Sequence, residues 1–203
     1  MQTNFMESRT KENLMRAFAG ESQARMRYYF AAQTAEQQNL AALARMFRFT
    51  AEQEEQHAKV FFSLMQEAAG KAVEINADYP ADVFSDIQQL IDAAAAGEKR
   101  EASAEYPDFA RIAKEEGFPQ AEIKFNMIAK IEDEHRRRFE YYAGLMREGR
   151  LFRSDDNEEK WICLNCGHIH TASEAPLECP VCGAKLGYFI RLEEAAFTAG
   201  IIQ

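Results

Sequence analysis

Two short runs carry the same acid–imidazole spacing, Glu54-Glu55-Gln56-His57 and Glu132-Asp133-Glu134-His135. Positions i and i+3 lie on one face of an α-helix, about one turn apart, so the glutamate and histidine of each run can reach one ion. Glu21, Glu98 and Glu101 also fall where a core residue is expected. Bare burial of five carboxylates would cost several kcal/mol for each. Divalent cations reverse that sign, and a mixed oxygen and imidazole shell suits iron or manganese. A second constellation, Cys163-x-x-Cys166 and Cys179-x-x-Cys182 with twelve residues between the pairs, has the spacing of one tetrahedral four-thiolate site. Zinc and iron both accept that geometry, and taken alone the cysteines favour structural zinc slightly.

The elements that must position these groups are helical. Four periodic segments, with limits 4–37, 40–69, 82–117 and 119–148, carry stripes that the acids and histidines interrupt: Leu14, Phe18, Glu21, Tyr28, Ala35; Leu43, Phe47, Glu54, His57, Phe61; Ile87, Ile91, Ala94, Glu98, Glu101, Ile112; and Phe125, Ile128, Glu132, His135, Phe139, Tyr142. Asn39 is expected to cap the second helix, and Gly117 with Pro119 to stop the third and start the fourth. A helix of about 30 residues runs roughly 45 Å, a span that about 12 extended residues nearly match. The stretch from Gly70 to Pro80 can therefore cross the bundle, while the other joints make tight hairpins. That is a ferritin-like four-helix bundle with one long crossover.

Register then brings the interruptions to one height. Glu21 lies 18 residues before Asn39 and Glu54 lies 15 after it; Glu101 lies 17 before Phe118, with Glu132 and His135 14 and 17 after. One Glu from each of two helices plus Glu-x-x-His from each of the other two is the di-iron carboxylate pattern. A single Glu-x-x-His is more often a solvated pair; two copies at matched height, facing acids on both remaining helices, favour ligation. Glu105 sits one turn past Glu101 but beside Pro107, which breaks a helical ladder, and is left out. Tyr28 and Tyr106 can donate to ligand carboxylates or simply pack as aromatics, with neither reading favoured.

The domains expected are the bundle (1–148), a charged linker (149–159) able to let the following module swing or dock on another subunit, and a small cysteine-bearing β/loop domain (160–203). Within the last, Gly167 and Gly183 permit tight turns whose amides point at sulfur. Trp161, Tyr188 and Phe189 form a small core, and His168 and His170 are expected at the surface. The formal charge of -9 argues against a nucleic-acid footprint. No apolar leader or membrane span is read from the sequence, and clustered cysteines without an export signal point to a metal site in a cytoplasmic protein.

The stretches AFAGESQARMRYYF, TAEQEEQHAKVFF, GEKREASAEYPDFARIAKEEGF and IAKIEDEHRRRFEYY, with the paired CLNCG and CPVCG, resemble the rubrerythrin family over nearly the whole chain. The resemblance implies two irons held by Glu21, Glu54, His57, Glu98, Glu101, Glu132 and His135, and one iron held by Cys163, Cys166, Cys179 and Cys182 of a rubredoxin-like domain. It implies that Glu54 and Glu132 bridge, that Glu21 and Glu101 complete one iron and Glu98 and His135 the other, and that one iron exchanges Glu101 for His57 with redox state. The implied activity is reduction of hydrogen peroxide to water, a peroxidase in oxidative-stress defence. Its electrons would come from an NAD(P)H-linked or rubredoxin-type donor, in a homodimer or larger homo-oligomer. Two other readings compete: a ferroxidase or iron-storage protein, and a non-catalytic metal-binding protein with a zinc ribbon. The four-cysteine module and the extra carboxylate of Glu98 and Glu101 weigh against storage, which requires neither.

Overall fold

The computed structural model describes residues 3–195; residues 1–2 and 196–203, the outer ends of the two expected domains, lie outside them. Phe5–Glu7 form a separate 3-10 turn, so the first long helix starts later than the periodicity predicts. Ser8 caps it by accepting a hydrogen bond from the Lys11 amide at 3.0 Å. This helix, α1 (Arg9–Gln37), ends at Asn39, whose φ of 59° is left-handed. The Leu40 amide then donates to Ala35 and the Asn39 amide to Glu36, closing off the last carbonyls. Asn39 therefore terminates α1 and does not cap α2 (Ala41–Ser63), which is preceded by Leu40 without a capping side chain.

The crossover is longer than the sequence reading allows, because α2 stops at Ser63 and α3 (Ile87–Arg100) starts only after Asp86, which accepts from the Gln89 amide at 2.9 Å. Polar contacts seat the crossover on α1. Arg16 Nε donates to the Asn76 carbonyl at 3.0 Å, Tyr79 Oη to the Arg16 carbonyl at 2.9 Å, and Gln38 Nε2 to the Ser85 carbonyl at 2.9 Å. After α3 comes a π-helical segment, Glu101–Glu105, and then α4 (Tyr106–Glu116). Pro107 has no amide proton to continue a regular ladder. The wide turn before it absorbs the mismatch, so the third rod continues where the sequence alone suggests a break. Gly117, at φ 83°, then turns the chain into α5 (Pro119–Arg147).

The core divides into two apolar clusters. One joins Tyr28, Leu43, Phe47, Ile91 and Phe139; the other joins Leu14, Phe61, Tyr106, Ala113 and Phe125. Along every rod the acids and histidines occupy the interval between the two clusters. Each cluster is closed by aromatic contacts, Tyr28 to Phe139 at 5.1 Å in the first and Phe61 to Phe125 at 5.0 Å in the second.

After α5 the chain builds an antiparallel sheet in the order β2-β1-β3, with β1 (Lys160–Cys163), β2 (Ile169–Thr171) and β3 (Phe189–Arg191). Trp161 faces His170 on one side and Arg191 on the other. Its fully buried ring packs with Phe189, and its Nε1 donates to the Ala172 carbonyl at 2.8 Å. His168 and His170 are half-buried rather than at the open surface. Part of the stretch read as linker is ordered against the module: Arg153 bridges Glu174, and the Ser154 amide donates to Ser173 at 2.7 Å. The module also rests on the bundle. Arg45 donates to the Leu164 carbonyl at 2.7 Å, Tyr141 to Glu194 at 2.5 Å, and Gly187 lies directly on the Asn39 backbone.

Candidate metal centres

Four rods converge on a ring of seven buried polar groups, Glu21, Glu54, His57, Glu98, Glu101, Glu132 and His135. Six of them fall into two overlapping sets whose donor atoms lie within 4.8 Å of one another: Glu21, Glu54, His57 and Glu132, and Glu54, Glu98, Glu132 and His135. Glu54 and Glu132 belong to both. His57 Nδ1 stands 3.0 Å from Glu54 Oε2 and 2.9 Å from Glu132 Oε1; His135 Nδ1 stands 2.9 Å from Glu54 Oε1 and from Glu132 Oε2. Glu101 is buried but stands outside both sets, where it lines a cavity of about 290 Å³.

The tyrosines resolve an alternative that the sequence left open. Tyr28 donates to Glu98 Oε1 and Tyr106 to Glu21 Oε1, both fully inside the bundle. Each hydroxyl occupies one carboxylate oxygen and leaves the other, Glu98 Oε2 or Glu21 Oε2, without a hydrogen bond. Glu54 Oε1, both oxygens of Glu132 and His135 Nδ1 are likewise buried without an aligned partner, although they approach one another to 2.9 Å. Buried polar atoms are ordinarily satisfied. Acceptors that crowd together without hydrogen-bond alignment fit two shared-edge cation sites, and the oxygen and imidazole donor set suits first-row divalent metals.

Electrostatics of the protein groups point the same way. Burial, reinforced by Glu132 and Glu54, pushes the Glu21 carboxyl well above its usual range. Burial and Glu98 do the same to Glu101, and burial with Glu54 carries Glu98 up to about 8. Glu54 moves the other way: burial opposes ionisation, but contacts with His135 and His57 hold it down to about 2. Against their own burial, Glu132 and Glu54 raise His57 to about 9 and His135 to about 12. Protons are thus retained where cations would otherwise sit.

Three residues of this centre escaped sequence reasoning. Gln53 Oε1 faces His135 Nε2 at 3.1 Å and receives Arg138 Nη1 at 3.0 Å, while the same Arg138 nitrogen donates to Thr50 Oγ1 at 2.9 Å. With Nε2 carrying the proton toward Gln53, Nδ1 is left as the ligand nitrogen. Gln53 precedes Glu54 and lies off the stripe; its meaning comes from a contact between α2 and α5 that no local pattern announces.

In the module the four sulfurs also form one set, with Cys163 to Cys182 at 3.8 Å and Cys166 to Cys179 at 3.6 Å. Metal–sulfur bonds of about 2.3 Å in a tetrahedron require sulfur separations near 3.8 Å. Gly167 (φ 79°) and Gly183 (φ 72°) turn the two knuckles, and the Asn165 and Cys166 amides point at Cys163. The Asn165 side chain and the Ala184 amide draw the Cys182 thiol down to about 6. The sulfurs fit a four-thiolate metal.

The family model described as Rubrerythrin matches residues 12–142, and that of the rubrerythrin rubredoxin-like domain matches residues 161–190. The chain belongs to the rubrerythrin family. Rubrerythrin of Clostridium perfringens (strain 13 / Type A) is 44% identical over 183 residues, covering 90% of this chain and 93% of that protein. Rubrerythrin of Porphyromonas gingivalis (strain ATCC BAA-308 / W83) is 42% identical, covering 90% and 89%. Among solved structures, fully reduced, all-ferrous nigerythrin aligns with a TM-score of 0.60 at 29% identity, covering 91% of this chain and 90% of that one. A rubrerythrin's two parts are thus present in one chain: a ferritin-like helical bundle with a candidate di-iron carboxylate–histidine site, and a rubredoxin-like module with a four-cysteine site. Among the described residues, no helix is long and apolar enough to cross a membrane.

Proposed function

We propose that this chain is a non-haem di-iron peroxidase that reduces hydrogen peroxide to two waters, consuming two electrons and two protons. The observation that carries the reading is the doubled donor set sharing Glu54 and Glu132, on the same chain as a separate four-thiolate site. Glu54 and Glu132 would bridge two irons, Glu21 with His57 or Glu101 would complete one, and Glu98 with His135 the other. Cys163, Cys166, Cys179 and Cys182 would hold a third iron. When bound, the ferrous pair supplies both electrons for cleaving the O–O bond without releasing a radical, and the thiolate iron restores them singly.

The protein's own part is to hold this arrangement ready. Tyr28 and Tyr106 fix the carboxylate planes of Glu98 and Glu21. Gln53, braced by Arg138, fixes the His135 tautomer. That His57 stands with Glu21 while Glu101 remains outside supports the exchange of these two residues that the family resemblance implies. The two apolar clusters exclude water above and below the ring.

The division of labour would follow a bundle through residue 148, a connector over 149–159 and a module from 160. Electrons would enter the module from an NAD(P)H-linked or rubredoxin-type donor in the cytoplasm. Exposed Ile123, Met127 and Ile131, four residues apart along α5, support assembly as a homodimer or larger homo-oligomer. Metal analysis joined to peroxide-dependent turnover tests the whole. About three irons per chain with turnover are expected from the donor sets. Many irons per chain would select storage, and a colourless zinc-loaded protein without turnover would overturn the proposal.

A further inference from the structure

Glu101 is the one member of the central ring that both stands outside the donor sets and lines a cavity. That cavity, of about 290 Å³, lies between α1, the crossover and the π segment, walled by Gly20, Tyr79, Glu101, Glu105 and Tyr106. It has room for several water-sized molecules. Larger spaces exist elsewhere, about 660 Å³ between bundle and module, about 400 Å³ beside the end of α2 and about 360 Å³ between Arg48 and Tyr188, but none of the seven ring residues lines any of them. Apolar clusters close both ends of the bundle.

Gly20 is out of place by helical propensity, since glycine inside a helix weakens it. No clash demands it: a Cβ there would meet Tyr79 Cε1 at 3.7 Å and Glu101 Oε1 at 3.9 Å, both ordinary contacts. What a side chain would do is occupy the space between those two groups. Tyr79 is 40% exposed and is held over α1 by its hydrogen bond to the Arg16 carbonyl. The surrounding charges are mixed, Arg16 and Arg100 with Asp78 and Glu105, and Arg100 pairs with Glu105 at 2.6 Å. With two groups of each sign, this mouth carries no net formal charge and sets no electrostatic barrier to either a neutral peroxide or a small cation.

We propose that this cavity is the port through which small hydroperoxides reach the carboxylate–histidine centre, and that Gly20 and Tyr79 set its width. The inference rests on the peroxidase reading for its substrate, and on geometry alone for the port. Tyr79→Ala widens the mouth, Gly20→Leu fills the inner end, and Gly20→Ala, with its ordinary contacts, narrows it mildly should the leucine variant fail to fold. Two quantities are measured on the full chain: the rate with cumene hydroperoxide relative to hydrogen peroxide, and the rate at which metal-free protein takes up Co²⁺, read from its visible absorption. For Tyr79→Ala, the relative rate on the bulky peroxide rises at least fivefold and cobalt entry quickens. For Gly20→Leu both peroxides and cobalt slow at least tenfold, and Gly20→Ala falls between that variant and the parent. Wild-type values of both quantities in folded Tyr79→Ala and Gly20→Ala would overturn the port. A parent protein inert to every hydroperoxide would defeat the peroxidase reading, while cobalt entry would still decide the port.

Discussion

In the module, four donor atoms come from two short turns whose amides point at the sulfurs, and Cys166 and Cys182 remain exposed. In the bundle, seven polar groups come from four rods, and every one is buried. The first centre is organised by local chain geometry and needs little from the rest of the protein. The second is organised by long-range packing and, without cations, holds carboxyl groups that repel one another in a dry interior. Metal should therefore be a local matter in the module and a condition of stability in the bundle.

The hardest blow to that contrast is Glu132→Ala. It removes one of the two glutamates shared between the donor sets, and metal analysis should fall from about three ions per chain to about one, held by the cysteines. Retention of bundle metal would show that Glu132 bridges nothing. Cys179→Ser should abolish steady-state turnover yet leave peroxide able to oxidise a chemically reduced bundle once, in stopped-flow absorbance. Loss of that single event would mean the two centres are not separate.

The pH dependence of the metal-free protein sharpens the comparison. Glu98 keeps its proton up to about 8 when folded, so its contribution is present below its usual carboxylate range and is lost as pH rises toward 8. His57, raised to about 9, adds a contribution that is complete below its ordinary value and fades as pH rises through 9. Glu54, held at about 2, loses its share only as pH falls toward 2. Denaturant unfolding of metal-free protein should thus show stability declining from pH 5 to 9, on the order of a few kcal/mol. Metal-loaded protein should be much flatter over that range.

Smaller effects test the supports. Gln53→Leu removes the partner of His135 Nε2 and should weaken bundle metal binding by about 10- to 100-fold in chelator competition, without touching the cysteine site. Gly187→Ala drives a Cβ into the Asn39 carbonyl, so the module must shift. Limited proteolysis across 149–159 should quicken while metal content stays constant. A change in metal content would show that docking helps to build one of the centres.

How much of this could be read beforehand follows from the range of each interaction. The cysteine knuckles were legible because sequence neighbours make them. The ring was legible because helical period and hairpin register together place Glu21, Glu54, Glu132 and His135. Asn39 was misassigned because asparagine suits both an N-cap and a left-handed terminus, and only the chain's path separates the two. Gln53 and Arg138 acquire their role from packing across 82 and 85 residues of sequence, for which no period exists. The hydroxyls of Tyr28 and Tyr106 lie on the boundary between apolar cluster and ring, where burial alone cannot say which way they point.

The π segment has a consequence for the half of the third rod that follows it. Each residue of an α-helix turns the chain by roughly 100°, and each residue of the wider π turn by less, so rewinding Glu101–Glu105 as regular α-helix would over-rotate all of α4 by most of one such step. Tyr106 would swing away from Glu21, and the solvated edge bearing Asp108 and Arg111 would rotate toward Phe125. Five residues in a loosened coil thus act as a phase-setting gear, timing where the far end of the bundle faces.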